Sequence, residues 1–117
     1  MKTVTLSKLE IVEIEALQRQ LDNFITYKNA SIRYMNRTDN KFYDALLMID
    51  ILQKLFYSFR SKIEKTTKTT ASLTLSVSEA VMILQVCNSA LTMQDDYERF
   101  VMQKSSGLIH QQLMNIN

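Results

Sequence analysis

Gly107 is the only glycine among 117 residues, and there is no proline. Strands joined by tight turns need residues that accept positive φ or preset a turn, and this chain has almost none. Long helices need neither. The expected fold is therefore all-α, a three- or four-helix bundle. The length suits a single domain spanning 1–117. An apolar share of 46% against 22% charge is enough to build a core and too apolar for a disordered chain.

Apolar spacing divides the chain. After Ser7, the positions Ile14, Leu17, Leu21, Phe24, Ile32 and Met35 step by three and four, with Ile11 and Ile25 widening the stripe. This predicts a first helix over 7–37, weakest at Asn29-Ala30-Ser31. Asn36-Arg37-Thr38-Asp39-Asn40 interrupts it, and Thr38 or Asp39 can cap a second helix over 39–64. There Phe42, Ala45, Ile49, Leu52, Phe56, Phe59 and Ile63 keep a strict alternation of three and four, completing a long helical hairpin. Tyr43, Leu46, Leu47, Met48, Ile51, Leu55 and Tyr57 flank this seam, so the helix is apolar over more than one stripe. Such a helix is central in a bundle, keeps a face for a partner, or both.

Lys65 to Ser72 is threonine-rich without a helical face and reads as part of a linker over 65–75. Residues 70–75 alternate weakly, and the only similar stretch for an extended segment to pair with is Thr3–Leu6. A third helix is expected over 76–115. Val77, Ala80, Val81, Leu84, Cys87 and Leu91 lie on one side, and the pattern resumes from Tyr97 to Leu113. At Gln94-Asp95-Asp96 either one long helix kinks or Asp95 caps a fourth. With no glycine or proline there to enforce a stop, one long or kinked helix is preferred, with a break near 94–96 as the alternative.

Two helix starts resemble each other. Thr5-Leu6-Ser7-Lys8-Leu9-Glu10 and Thr74-Leu75-Ser76-Val77-Ser78-Glu79 each offer a serine cap with glutamate three residues on. Leu6 on Ile11 and Leu75 on Ala80 would form the matching hydrophobic staples. The repeat suggests two distant copies of one helix-pair unit, or independent use of the same capping chemistry.

The net charge of +2 is too small to demand a nucleic-acid partner, but it is unevenly placed. Residues 33–69 carry eight basic and four acidic groups, whereas 70–117 carry two and four. Cys87 stands alone, so no internal disulfide forms and a reducing interior is the easier home. No leader-like segment or uncharged apolar run of transmembrane length occurs. Cytoplasmic residence without membrane contact is the expectation.

Catalytic chemistry finds no footing. His110 is the only histidine and is expected to be an exposed tail residue; a lone imidazole does not build a metal site. Cys87 lies inside its helix on the apolar side, where a thiol behaves as a small hydrophobe. The carboxylate pairs Glu10/Glu13, Glu13/Glu15 and Asp95/Asp96 are expected on surface faces or at a helix junction, not facing one cleft in contrasting environments. With one glycine there is no phosphate loop and no nucleophile elbow. No cofactor and no metal are implied, and the chain is not expected to be an enzyme.

Two binding surfaces remain. Tyr43, Leu46, Leu47, Met48, Ile51 and Leu55 form a candidate partner surface on the second helix, for a second copy or another protein. Adaptable methionines (Met35, Met48, Met82, Met93, Met102 and Met114) favour this reading. The alternative is an anion, nucleotide or nucleic-acid site built from Arg33, Arg37, Tyr57, Arg60 and Lys62, with Tyr57 stacking on a base. Cations at a helix C-terminus also simply complement its dipole, which accounts for Arg60 and Lys62 without a ligand. The chain therefore reads as a non-enzymatic, oligomeric helical interaction or assembly protein. Its Lys-, Asn-, Ile- and Thr-rich usage is shared with small phage and mobile-element proteins, which points to a virion component or an inhibitor of a host system.

Overall fold

The computed structural model describes residues 2–89 and 95–116. Its elements run β1 (Thr3–Glu10), α1 (Ile11–Ser31), a 3₁₀ turn (Ile32–Tyr34), α2 (Asn40–Lys65), β2 (Thr70–Ser76), α3 (Val77–Cys87) and α4 (Asp96–Met114). β1 and β2 pair antiparallel. The all-α expectation is thus overturned: this is a small mixed fold, mostly helical around a two-stranded sheet. The glycine argument excluded tight hairpins, and the sheet contains none. Its strands are joined through two helices, so no turn demands glycine.

Each half of the chain runs strand, helix, helix. The alternation at 70–75 becomes β2, with Leu73 and Leu75 buried. On β1, Val4, Leu6 and Leu9 are fully buried, a spacing that breaks the two-residue period. A β-bulge reconciles it. Leu6 pairs with Leu73 and Leu9 with Ala71, so Ser7 and Lys8 together oppose Ser72. The extra residue returns Leu9 to the core face; without it the side chain would point to solvent. Lys8 makes the bulge at φ 56°, a left-handed conformation that costs a non-glycine residue about 1 kcal/mol. The opposite sheet face carries the exposed Thr3, Ser7, Lys8, Ser72 and Thr74, as expected for an antiparallel sheet buried on one side.

The bulge also moves the first helix start. Ser7 lies in the strand, and α1 begins at Ile11 with Glu10 as its cap residue, the Glu13 carboxylate accepting from the Glu10 N–H at 3.0 Å. Ser76 does cap α3, accepting from the Glu79 N–H at 3.2 Å while Glu79 accepts from the Ser76 N–H at 2.8 Å. The residues before the two caps are therefore Leu9 and Leu75, and Ile14 and Ala80 hold the fourth helical positions. Ser76→Ala should cost about 1 kcal/mol, whereas Ser7→Ala should stay within about 0.5 kcal/mol. Urea unfolding of the two variants measures this, and equal costs would contradict the placement of Ser7 in the strand.

Asp39 caps α2, accepting from the Lys41 N–H at 3.0 Å. α3 closes at Cys87, and Asp95 caps α4 by accepting from the Glu98 N–H at 2.7 Å. Two helices therefore replace the single one preferred from sequence; Leu91, Met93 and Gln94 lie outside the described residues. The sheet's apolar face meets Ile14, Leu17 and Leu21 of α1, Leu52, Leu55 and Phe59 of α2, Ile83 of α3, and Val101 and Ile109 of α4 in one core.

Two ion-paired rungs hold α4 against α1. Lys104 Nζ meets Glu13 at 2.8 Å and Arg19 Nε meets Glu98 at 2.7 Å, with the Gln20 amide donating to the other Glu98 oxygen. Six residues separate Glu13 from Arg19 and six separate Glu98 from Lys104, about 9 Å along each axis. Both rungs thus define one antiparallel register.

Candidate functional site

The outer face of α2 is one place where the fold leaves apolar surface uncovered, beside exposed side chains such as Tyr34, Phe100 and Met114 elsewhere. Its inner face is committed to the core through Phe42, Ala45, Ile49, Leu52, Leu55 and Phe59. Tyr43, Leu46, Leu47, Asp50, Lys54 and Tyr57 recur at helical spacing on the opposite side, and all are exposed. The first three make a contiguous apolar patch, with Tyr43 57%, Leu46 42% and Leu47 60% exposed. Asp50 and Lys54 pair at 3.1 Å beside it, both in solvent.

This divides the residues expected to meet a partner. Tyr43 and Leu47 are free. Met48 and Ile51 are half-buried and pack against the core. Leu55 is 1% exposed, sealed beneath the sheet with Phe59, and is therefore withdrawn from the partner surface. A helix apolar on most of its circumference hides this distinction, because spacing alone does not say which stripe the sheet will cover.

The five residues expected to bind an anion are not brought together. Arg33 lies in the 3₁₀ turn and Arg37 in the loop before α2, whereas Tyr57, Arg60 and Lys62 lie near its far end. The rise along α2 puts about 30 Å between the two groups. Arg37 stacks on the Phe42 ring at 5.0 Å, and Arg60 pairs with Glu64 at 3.1 Å. Tyr57 packs edge-on against Phe56 and is otherwise exposed. Arg37, Tyr57 and Arg60 each have a local partner, and no common ligand reaches both ends.

Burial pushes the Cys87 thiol up to about 12, which leaves negligible thiolate at neutral pH. His110 is exposed. Among the described residues no group of His, Cys, Asp and Glu converges to hold a metal ion. No helix among them is long and apolar enough to cross a membrane. Glu13 corrects the expectation of surface carboxylates: it is 4% exposed, one oxygen bound to Lys104 and the other to the Glu10 N–H. Asp95 and Asp96 sit at the start of α4 as expected for a helix junction. Partial desolvation, followed by the Glu13 and Glu10 carboxylates, raises the phenol of the exposed Tyr97 above its ordinary value. A carboxylate with both oxygens engaged makes a structural joint, not a proton acceptor for a substrate.

Clefts also mark the surface formed by the described residues, three of them notable. One of about 240 Å³ lies between the ends of α1 and α2, floored by Met35, Ala45 and Met48. A second, of about 300 Å³, runs from Glu10 and Val12 to Thr69. The third, of about 230 Å³, lies between β2 and α2. Compared with known proteins, the chain matches no family model, no curated protein and no solved structure.

Proposed function

We propose that this chain is a non-enzymatic helical assembly protein that associates through the outer face of α2, with a second copy of itself as the partner. The observation that carries the reading is the exposed patch of Tyr43, Leu46 and Leu47 on the helix that supplies the centre of the core. Single exposed apolar residues are ordinary, whereas a contiguous group on a rigid element marks an interaction surface.

The surroundings of the patch favour self-association. An antiparallel pair of α2 helices with its two-fold axis between Leu46 and Leu47 sets Leu46 of one copy against Leu47 of the other. The same register brings Tyr43 opposite Asp50, so its hydroxyl can donate to that carboxylate, and Lys54 opposite Asp39. Asp50 and Lys54 now hold each other in an exposed pair, worth about 0.3–0.5 kcal/mol and readily exchanged. An isologous contact needs one patch that complements itself, and this one does.

Light scattering on a sizing column tests the proposal. The native chain should elute at a multiple of 13.6 kDa. Leu47→Glu should elute as the monomer with unchanged helical circular dichroism, because Leu47 is exposed and makes no core contribution. A native monomer at every concentration, or a Leu47→Glu variant that assembles as before, would sink the reading.

A further inference from the structure

Each strand of a two-stranded sheet has one free edge, and this fold treats the two differently. On β1 the Gln112 side chain covers the middle of the edge: its Oε1 accepts from the Thr5 N–H at 2.9 Å and its Nε2 donates to the Thr5 carbonyl at 2.7 Å. A primary amide here takes the place of a neighbouring strand. The same contact fixes the orientation of β2. Thr5 directs its N–H and C=O away from β2, so its cross-strand partner Thr74 directs its own pair away from β1. Ser72, two residues back, has the same sense. Ser76 agrees, since its N–H leaves the ladder to reach Glu79. Thr74 and Ser72 thus present two donors and two acceptors at strand spacing on the outer edge of β2. Among the described residues no hydrogen bond satisfies them there.

That edge opens into the cleft between β2 and α2, with Phe59 at its floor and Ser58 and Lys62 along its far wall. Natural proteins cover, bend or charge such edges unless they are used. We propose that the outer edge of β2 captures an extended, acidic segment of another protein, which adds to the sheet as a third strand. Alternating backbone donors and acceptors are satisfied by another strand. The α2 wall beside the edge selects a bare segment over a second copy, whose own β2 is flanked by its own α2. Charge selects the sequence: Lys62 is exposed with no carboxylate partner among the described residues, while the cleft's Glu79 is occupied by the Ser76 N–H.

The test uses the full chain, labelled with nitrogen-15, and an acetylated, amidated hexapeptide alternating threonine and valine with one central glutamate. Titration should shift the Ser72 and Thr74 amide resonances saturably and slow their hydrogen exchange about tenfold or more. N-methylation of the peptide amides that would face β2 should weaken binding about tenfold, and replacing the glutamate by lysine should weaken it further. Leu47→Glu should bind the peptide as the native chain does, so failure of the α2 interface and failure of this site are separable. No shift at Ser72 and Thr74 up to millimolar peptide overturns the proposal, as does equal binding of the N-methylated peptide. Protection of those amides that rises with protein concentration alone also overturns it, because the occupant is then a second copy.

Discussion

Phe59→Ala should lower the stability of the fold by about 3–5 kcal/mol. Phe59 is 1% exposed and is the largest fully buried side chain among the described residues. It stands where α2 passes under the sheet, in the cluster that holds Leu55, Leu73 and Leu75. Truncation removes the apolar contact of a whole ring and leaves a cavity that helix and sheet cannot both move to fill. A domain has only about 5–15 kcal/mol to lose, so the variant should be partly unfolded or melt far below the native chain. Tyr57→Ala is the control two residues away. Tyr57 is 64% exposed, and its loss should stay within about 0.5 kcal/mol. Urea midpoints followed by circular dichroism make the comparison. Similar costs at the two positions would mean that α2 is rotated from the orientation described here.

That contrast is one the periodicity of α2 already contained. The seam was legible because its order is local and the helix is long enough to repeat it; Phe42, Ala45, Ile49, Leu52 and Phe59 are buried, whereas Phe56 and Ile63 are only partly buried. Leu55 and Leu47 were not separable, since both flank the seam and differ only in which side the sheet occupies. The sheet itself left a faint trace, the alternation at 70–75. Its partner lies 60 or more residues away; the similar stretch Thr3–Leu6 is the one sequence hint of it, and that hint stops short of Leu9 and Glu10, which the bulge brings into the pairing. Scarcity of glycine correctly excludes tight hairpins, yet it is silent about strands joined through helices.

The cap repeat shows how a correct chemical reading can land on the wrong residue. Sequence identity aligns Ser7 with Ser76, while the fold aligns Glu10 with Ser76 and Glu13 with Glu79. The difference is three residues, and it arises because β1 continues through its bulge to bury Leu9 before α1 begins. Burial of a leucine, about 1.5–3 kcal/mol, outweighs the roughly 1 kcal/mol of a serine cap. Glu13, which looked like a surface acid, becomes the third residue of the helix and faces α4.

Glu13→Ala should therefore cost about 2–3 kcal/mol, more than an ordinary cap or an ordinary surface charge. The substitution removes the acceptor of the Glu10 N–H at the start of α1 and leaves Lys104 without its carboxylate. The Lys104 side chain is 38% exposed, so its ammonium can turn toward water, and the cost stays below that of a fully buried broken pair. Lys104→Met keeps the apolar stem against α1 but strands the Glu13 carboxylate, which is only 5% exposed. Either single change should then be worse than its share of the double variant, giving a coupling energy of about 1–3 kcal/mol in a double-mutant cycle. The Arg19–Glu98 rung provides the comparison. Arg19 is 55% exposed in its side chain, so a cycle there should return less than about 1 kcal/mol. If the Glu13 and Lys104 costs simply add, the register of α4 on α1 is set by apolar packing around Val101 and Ile109, and the buried pair contributes nothing of its own to it.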